Sequence, residues 1–420
     1  MESSNYKIAL VGNNLNNASR ASGAMIAVHG ELEDSKLHDY HDELLLNLSE
    51  NASLEWHKII KKIDSNIITA KKTFVYLKNN ANNLEKKCFK VISKYGKFLK
   101  NVKNSKKNTQ YLVLNKEFAI SSKNLFKKID AIISKNKNIK FFNDQAYIND
   151  INSSNVILKN SNKIISSNKI LIAAGSNSSN IIRKSKMIPI YHGVGTALEI
   201  KSKELYNFIS KDTVYRTANR GGSFCGVHLV PRDKLGSFYL GAGNYLTKSY
   251  NAIGRMATVK YLIDALSKEI SNEKIVHKTM MKMVYGNRPI SFDNKPVFGT
   301  FNKNKKIFVA SGFNRVGLTL SPILTDEILK WVGNRHPESL YDIWSPNREF
   351  ISFRDKDYAI KMYTDFYISN LVEHKLVGDR DLKEVKIKLQ KDAERKHKIV
   401  QRKYKLRKDF GISPEILSIF

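Results

Sequence analysis

The chain has 420 residues, 42% of them hydrophobic, enough for two domains with substantial cores. Its 71 Lys+Arg against 39 Asp+Glu leave a net charge of +32, a field that attracts anions. No apolar run approaches a membrane span, and residues 1–12 lack a basic start followed by an apolar stretch, so neither a span nor a signal peptide is expected and the expected compartment is the cytoplasm.

In chain order, Ile8, Ala9, Leu10 and Val11 form a short apolar strand. Gly12, Asn13 and Asn14 follow it, and then a loop rich in Ser, Ala and Gly, ASRASGAMIAVHGELE (residues 18–33). Apolar residues at helical spacing predict helices within residues 44–63, through Leu125, Ile129, Ile132 and Ile133, and through Val259, Leu262, Ile263, Leu266 and Ile270. Residues 111–114, 194–200, 214–217 and 237–242 read as strands, and KILIAAGSNSSNII (169–182) reads as a strand followed by a glycine turn. Strand-rich middle segments between α/β segments imply a discontinuous two-domain protein.

The densest pattern lies at GNRPISFDNKPVFG (286–299) and IFVASGFNRVGLTLSP (307–322). Two arginines beside an apolar strand can grip a carboxylate, and Gly312 and Gly317 let backbone amides approach a ligand closely. Ile323, Leu324, Ile328, Leu329 and Trp331 then share one helical side, which places Pro322 in a first turn. The tail from Asp379 to Lys408 reads as a long basic helix, with Leu382, Val385, Leu389 and Ala393 as its apolar stripe, and residues 410–420 are apolar enough to dock on the body.

Charge and cysteines add little. The lysine runs within 103–108, 135–140 and 302–306 fall in apparent loops without a binding motif, so compositional drift is the expected cause and nucleic acid is not an expected partner. Cys88 and Cys225, with no C-x-x-C and no His at metal spacing, read as free thiols, and no metal site is expected.

Together these segments resemble the FAD-dependent D-amino-acid oxidase family, especially its glycine oxidase-like members. Gly286, Arg288, Pro289, Asp293, Lys295, Pro296 and Gly299 match its G-x-R-P block, and Ala310, Gly312, Arg315, Gly317, Leu320 and Pro322 match its A-x-G-h-x-R-x-G-h-x-L-x-P block. The resemblance implies an α/β protein in which a doubly wound, Rossmann-like FAD domain joins an antiparallel substrate sheet. The FAD domain is expected at 1–35, 121–186 and 282–334, the substrate domain at 36–120 and 187–281, and a C-terminal helical extension at 335–420.

The resemblance also implies hydride transfer from an amine or amino acid to FAD. Arg288 occupies the position of the family's carboxylate clamp, Arg315 that of its second arginine, and His228 stands in the substrate sheet, where glycine oxidases carry a tyrosine. Ala18, Ser19, Gly23, Ala24 and Met25 would flank the flavin from the first loop. Gly312, Gly317, Leu318 and Thr319 would line it through the backbone, with Gly175 passing close and Ala146 meeting the adenine. Tyr239 and Tyr245 are further candidates for the pocket wall, with core packing as the default reading, and Asn244, after the G-A-x run, is more polar or smaller than the family pattern implies.

One departure is large. The family's opening strand, G-x-G-x-x-G turn and helix are not found, nor is the acidic residue that should follow the second strand, which Ile8 to Val11 best matches. The first strand and helix of the FAD domain are therefore expected to be missing, with a partner chain or an additional N-terminal segment completing the site. Alternative readings are a non-catalytic scaffold subunit that has lost flavin, and an RNA-associated flavoprotein.

Overall fold

The structure, a computed structural model, describes residues 6–13, 17–33, 39–106, 108–182, 186–219, 226–251, 253–301, 305–373, 376–378 and 381–420. Asn14, Cys225, the boundary at 35 and the tail's first residue, Asp379, lie outside them. The first half of the chain contains β1 (Ile8–Val11), α1 (Ala18–Ala21), β2 (Met25–Ile26), α2 (Tyr40–Ile63), β3 (Ile68–Ala70), β4 (Lys72–Leu77), α3 (Asn83–Ile92), β5 (Lys97–Leu99), β6 (Gln110–Leu114), β7 (Phe118–Ile120), α4 (Ser122–Lys135), β8 (Ile139–Phe142), β9 (Ala146–Tyr147), β10 (Asn155–Leu158), β11 (Ile164–Ser166), β12 (Ile170–Ile172) and α5 (Ser178–Ile181). The second half contains β13 (Ile190–Lys201), α6 (Lys203–Phe208), β14 (Thr213–Thr217), β15 (His228–Pro231), β16 (Ser237–Thr247), α7 (Met256–Ala265), α8 (Glu273–His277), β17 (Met280–Ser291), β18 (Val297–Phe301), β19 (Ile307–Ser311), α9 (Gly317–Val332), α10 (Lys356–Glu373), α11 (Leu382–Tyr404) and α12 (Pro414–Leu417).

The predicted helices and strands are present. The largest sheet among the described residues has eight strands in the order β17-β13-β16-β15-β14-β4-β6-β5. Its neighbours run antiparallel except for β14 and β4, which are parallel, because the chain returns to β4 only after a long connection through other elements. Leu198, Leu229, Leu240 and Phe238 on its outer face pack with Leu262 and Leu266, which follow one another on the apolar side of α7 and the turn after it.

The parallel pairings outside the large sheet fall into two groups. β1 pairs in parallel with β8, and β12 pairs in parallel with β19, which continues antiparallel to β18. Among the described residues, no strand joins these two groups, as the absence of a first-strand motif predicts.

Pro322 departs from expectation. α9 begins at Gly317, so Pro322 lies inside the helix rather than in its first turn. A proline there leaves the carbonyl four residues earlier without its helical donor. That carbonyl, of Leu318, instead accepts from Trp56 Nε1 at 2.9 Å and Ser321 Oγ at 2.8 Å.

The basic helix α11 is present, and it forms a hairpin with α10. Residues 410–420 do more than dock on an edge. Phe410, Ile412, Ile416 and Leu417 are buried in one core with Ile148, Ile170, Ile172 and Val309. No helix among the described residues is long and apolar enough to cross a membrane.

Candidate active site

Two of the substrate-binding candidates, Arg288 on β17 and His228 on β15, lie on the large sheet, separated by β13 and β16, and the third, Arg315, lies in the turn before α9. Successive strand residues point to opposite faces, so Val284, Gly286 and Arg288 of β17 share one side. Val284 packs there with Ala197, Val214, Val230 and Tyr239. The same alternation puts His228 beside Val230 and Arg216 beside Val214, and His228 lies between Arg216 and Gly241 in register.

Glycines open this face. Arg288 is opposite Gly193, and a Cβ on Gly195 would stand 3.7 Å from Arg288 Nε. A Cβ on Gly286 would meet Ala18 Cα at 2.9 Å, so α1 rests directly on the strand. A Cβ on Gly23 would press on the Tyr239 ring at 3.1 Å. The first loop therefore lies against the eight-stranded sheet.

Arg288 is half-buried. Its Nη1 donates to Asn314 Oδ1 at 3.0 Å, while Nη2 is buried with no hydrogen-bond partner among the described residues. Arg288 also makes no ion pair with a described carboxylate, whereas Arg216, Arg315 and Arg348 each do. Asn314 has φ +47°, and its N–H donates to the Pro289 carbonyl at 2.9 Å, which ties the glycine turn to the strand of Arg288.

Arg315 belongs to an acidic cluster. Its Nη1 lies 3.1 Å from Glu33 Oε1 and 3.6 Å from Glu31 Oε2, and Glu31 Oε1 lies 2.9 Å from Arg216 Nη1. Arg216, 1% exposed, also donates to Asn219 Oδ1 at 3.1 Å. Gly30 makes room for this network, because a Cβ there would meet Arg216 Nη1 at 2.9 Å and Glu117 at 3.0 Å. Glu117 Oε1 accepts from the Val28 and Gly30 amides.

Burial raises the Glu31 carboxyl, but the charges of Arg216 and Arg315 outweigh it and hold the group well below the usual carboxylate range. His228 is pushed down to about 4, by burial first and by Arg216 second. It is therefore uncharged at neutral pH. Its Nδ1 sits 3.1 Å from the Gly226 carbonyl, and its ring stacks on Tyr239 with centroids 5.6 Å apart.

The cofactor-binding candidates fall in several places. Gly312 has φ +74°, and a Cβ there would stand 3.0 Å from Val297, so the turn after β19 requires glycine. Gly317, Leu318 and Thr319 open α9 with no side-chain cap, leaving first-turn amides as donors. Ala24 has φ +50° and shares a core with Leu318, while Met25 pairs with Ala119.

Ala18 and Ser19 start α1, where the Asn17 side chain accepts from Ser19 N and Arg20 N. Gly175 has φ +56° with open space where a Cβ would be, and its carbonyl accepts from Ser311 Oγ at 2.7 Å. Ala146 lies in a separate three-stranded sheet, opposite Leu158.

A cavity of about 310 Å³ lies between the end of the first loop and the glycine turn. Its walls include Val28, Glu31, Gly312, Asn314 and Arg315. Asn314, Arg216 and the Glu31–Glu33 pair were not singled out from sequence; the acids of HGELE next to an apolar run were the available signal. Among the described residues, no group of three or more His, Cys, Asp or Glu is placed to hold a metal.

Residues 135–331 match the family model described as FAD dependent oxidoreductase, DAO. Iminodiacetate oxidase from Chelativorans sp. BNC1 shares the fold with a TM-score of 0.66 at 12% identity, over 81% of this chain and 93% of that one. Glycine oxidase from Geobacillus kaustophilus gives 0.65 at 14% identity, over 81% and 92%. Glycine oxidase from Bacillus cereus gives 0.60 at 16%, over 80% and 99%. No curated protein matches the chain in sequence.

Proposed function

We propose, from the premise that this chain is a member of the DAO family of FAD-dependent oxidoreductases through residues 135–331, that it oxidises a small amine or amino acid whose carboxylate Arg288 holds. One observation carries this reading. Arg288 alone among the arginines of the site lacks a described carboxylate partner, and its Nη2 is buried without an acceptor. Leaving a desolvated guanidinium donor unmet is costly, and a substrate carboxylate would satisfy it through charge-assisted hydrogen bonds. The similar folds include oxidases named for glycine and iminodiacetate, both small and both bearing carboxylates.

The residues fit the ring end of FAD. In this reading the uncapped amides of Gly317, Leu318 and Thr319, the turn at the left-handed Gly312 and the open space at Gly175 would take the ring, and Gly23, Ala24 and Met25 would flank it from the first loop. Ala18 and Ser19 would border it, and the Ala146 backbone would meet the adenine. The pyrophosphate end does not fit: Gly12 and Asn13 follow β1, with no glycine-rich turn and no acid.

When bound, the flavin supplies hydride acceptance from the α-carbon of the amine. This chain's share is orientation. Arg288 fixes the carboxylate end, and Asn314 fixes Arg288. His228, uncharged, lets the sheet face present the Arg288 cation without a second one from the imidazole. Arg315 acts beside the substrate by tying the glycine turn to Glu31 and Glu33.

The test compares an amino acid with the amine that lacks its carboxylate. A preference for the acid that disappears in Arg288→Ala is expected; an equal preference in both proteins overturns the clamp. The second reading, a non-catalytic scaffold, is favoured by Gly12 and Asn13 standing where the acid is expected after the second strand. Protein isolated from its source without flavin, and unable to take it up even when a strand, glycine-turn and helix segment is supplied, would establish that reading instead.

A further inference from the structure

The β1–β8 ribbon is an unfinished piece of sheet. Among the described residues β1 pairs with β8 alone, and no described strand lies along its other edge. Ile8 faces Ile139 and Leu10 faces Phe141 in register, which puts four apolar side chains on one side of the ribbon. Ile8 is 38% exposed, Leu10 37% and Phe141 52%. Parallel sheets are normally covered on both faces, and an isolated two-stranded ribbon is marginal in water. β12 is likewise paired only to β19 among the described residues, and its Leu171 is exposed.

We infer that a second polypeptide completes this sheet. It lays a strand parallel to β1 along the open edge, turns through glycines, and returns a helix over Ile8, Leu10, Ile139 and Phe141. Such a strand-to-helix connection is right-handed and brings the helix N-terminus to the end of the strand, where it can take the pyrophosphate that this chain leaves unheld. That last step rests on the flavin reading above; the docking itself does not.

Charge points to the source. Residues 6–13 and 131–142 carry Lys7, Lys135, Lys137 and Lys140, all exposed, and no carboxylate. The occupant that fits is apolar at its centre and acidic around it. A chain with 71 Lys+Arg to 39 Asp+Glu is a poor source of such a segment, and a separate acidic polypeptide is a good one.

The probe is a synthetic peptide of about 30 residues with the form strand, G-x-G-x-x-G, helix, acidic on its solvent side. It is added to the purified chain, with amide hydrogen exchange and flavin absorbance as readouts. The expected result is exchange at Ile8, Ala9, Leu10 and Val11 slowed about tenfold or more, with FAD retained only when peptide is present. Leu10→Asp, at an exposed position, is expected to fold and to abolish the slowing.

Exchange unchanged by the peptide, or already as slow in the isolated chain as in β13, overturns the inference. Slowed exchange without FAD retention supports the docking surface and rejects the flavin reading. FAD held by the isolated chain while β1 exchanges fast supports the flavin reading and overturns the partner. A native single polypeptide heavier than 48.0 kDa that carries the missing unit itself also overturns the partner.

Discussion

Arg288 and Asn314 meet where the substrate sheet joins the glycine turn: Arg288 Nη1 donates to Asn314 Oδ1 at 3.0 Å, and the Asn314 amide donates to the carbonyl of Pro289, next to Arg288. Arg288, the proposed clamp, and the glycine turn are therefore one mechanical unit. Removing a charge-assisted carboxylate contact costs about 1.5–3 kcal/mol, so Arg288→Ala should lower kcat/KM for an amino acid by roughly 10–150-fold while flavin stays bound. Asn314→Ala should cost less, because it frees the guanidinium without removing it. Steady-state kinetics on both variants, with flavin content measured alongside, checks the order.

The two turn glycines should separate stability from ligand binding. Gly312→Ala puts a side chain at φ +74° and within 3.0 Å of Val297, and should destabilise the fold by about 1–3 kcal/mol in urea unfolding. Gly317→Ala sits at a helix start where the added Cβ meets Phe313 Cβ at 3.2 Å. Its stability should change by less than about 1 kcal/mol, while flavin retention should fall if the first-turn amides hold the ring as proposed.

Much of this was legible before any coordinates. The strand, glycine turn and helix from Ile307 to Val332 follow from apolar runs broken by Gly312 and Gly317, and the alternation in β13 and β16 marks a sheet with one face inward. The Arg216–Glu31–Arg315 cluster was hidden, because its members are far apart in sequence and their charges do not stand out in a lysine-rich chain. Pro322 misled because first-turn proline is common, whereas here a distant indole, Trp56, replaces the lost donor. Helical spacing identified α11 but could not show that residues 410–420 return into the core.

Trp56→Phe tests that replacement. The Leu318 carbonyl loses its indole donor and keeps Ser321 Oγ. A loss of about 1 kcal/mol is expected in thermal or urea unfolding. No change would mean that the indole bond does not compensate for Pro322.

Stability should rise with pH through the His228 titration. Between about 4 in the folded chain and 6.5 in the unfolded one, the unfolded state carries a proton that the folded state does not, so acid favours unfolding. His228→Gln should remove about one proton from the slope of unfolding free energy against pH in that window. Glu31 acts in the same direction at lower pH: its contribution is present above the ordinary carboxylate range and fades as pH falls through its depressed value. Urea titrations across the acid range provide the slope, and an unchanged slope in His228→Gln would contradict a buried neutral imidazole.

The packing of the tail predicts a cavity effect. Ile416 is fully buried between the C-terminal hairpin and the β12–β19 layer. Ile416→Ala should cost about 2–5 kcal/mol, a loss that an appended surface helix would not show.

The most direct measurement follows the visible flavin band of the flavin-loaded protein, isolated from its source, as a panel of small amino acids and amines is added without oxygen. The account predicts that at least one amino acid bleaches the band and that Arg288→Ala slows the bleaching by roughly 10–150-fold. A flavin band untouched by the whole panel, or bleached equally fast in Arg288→Ala, would contradict it.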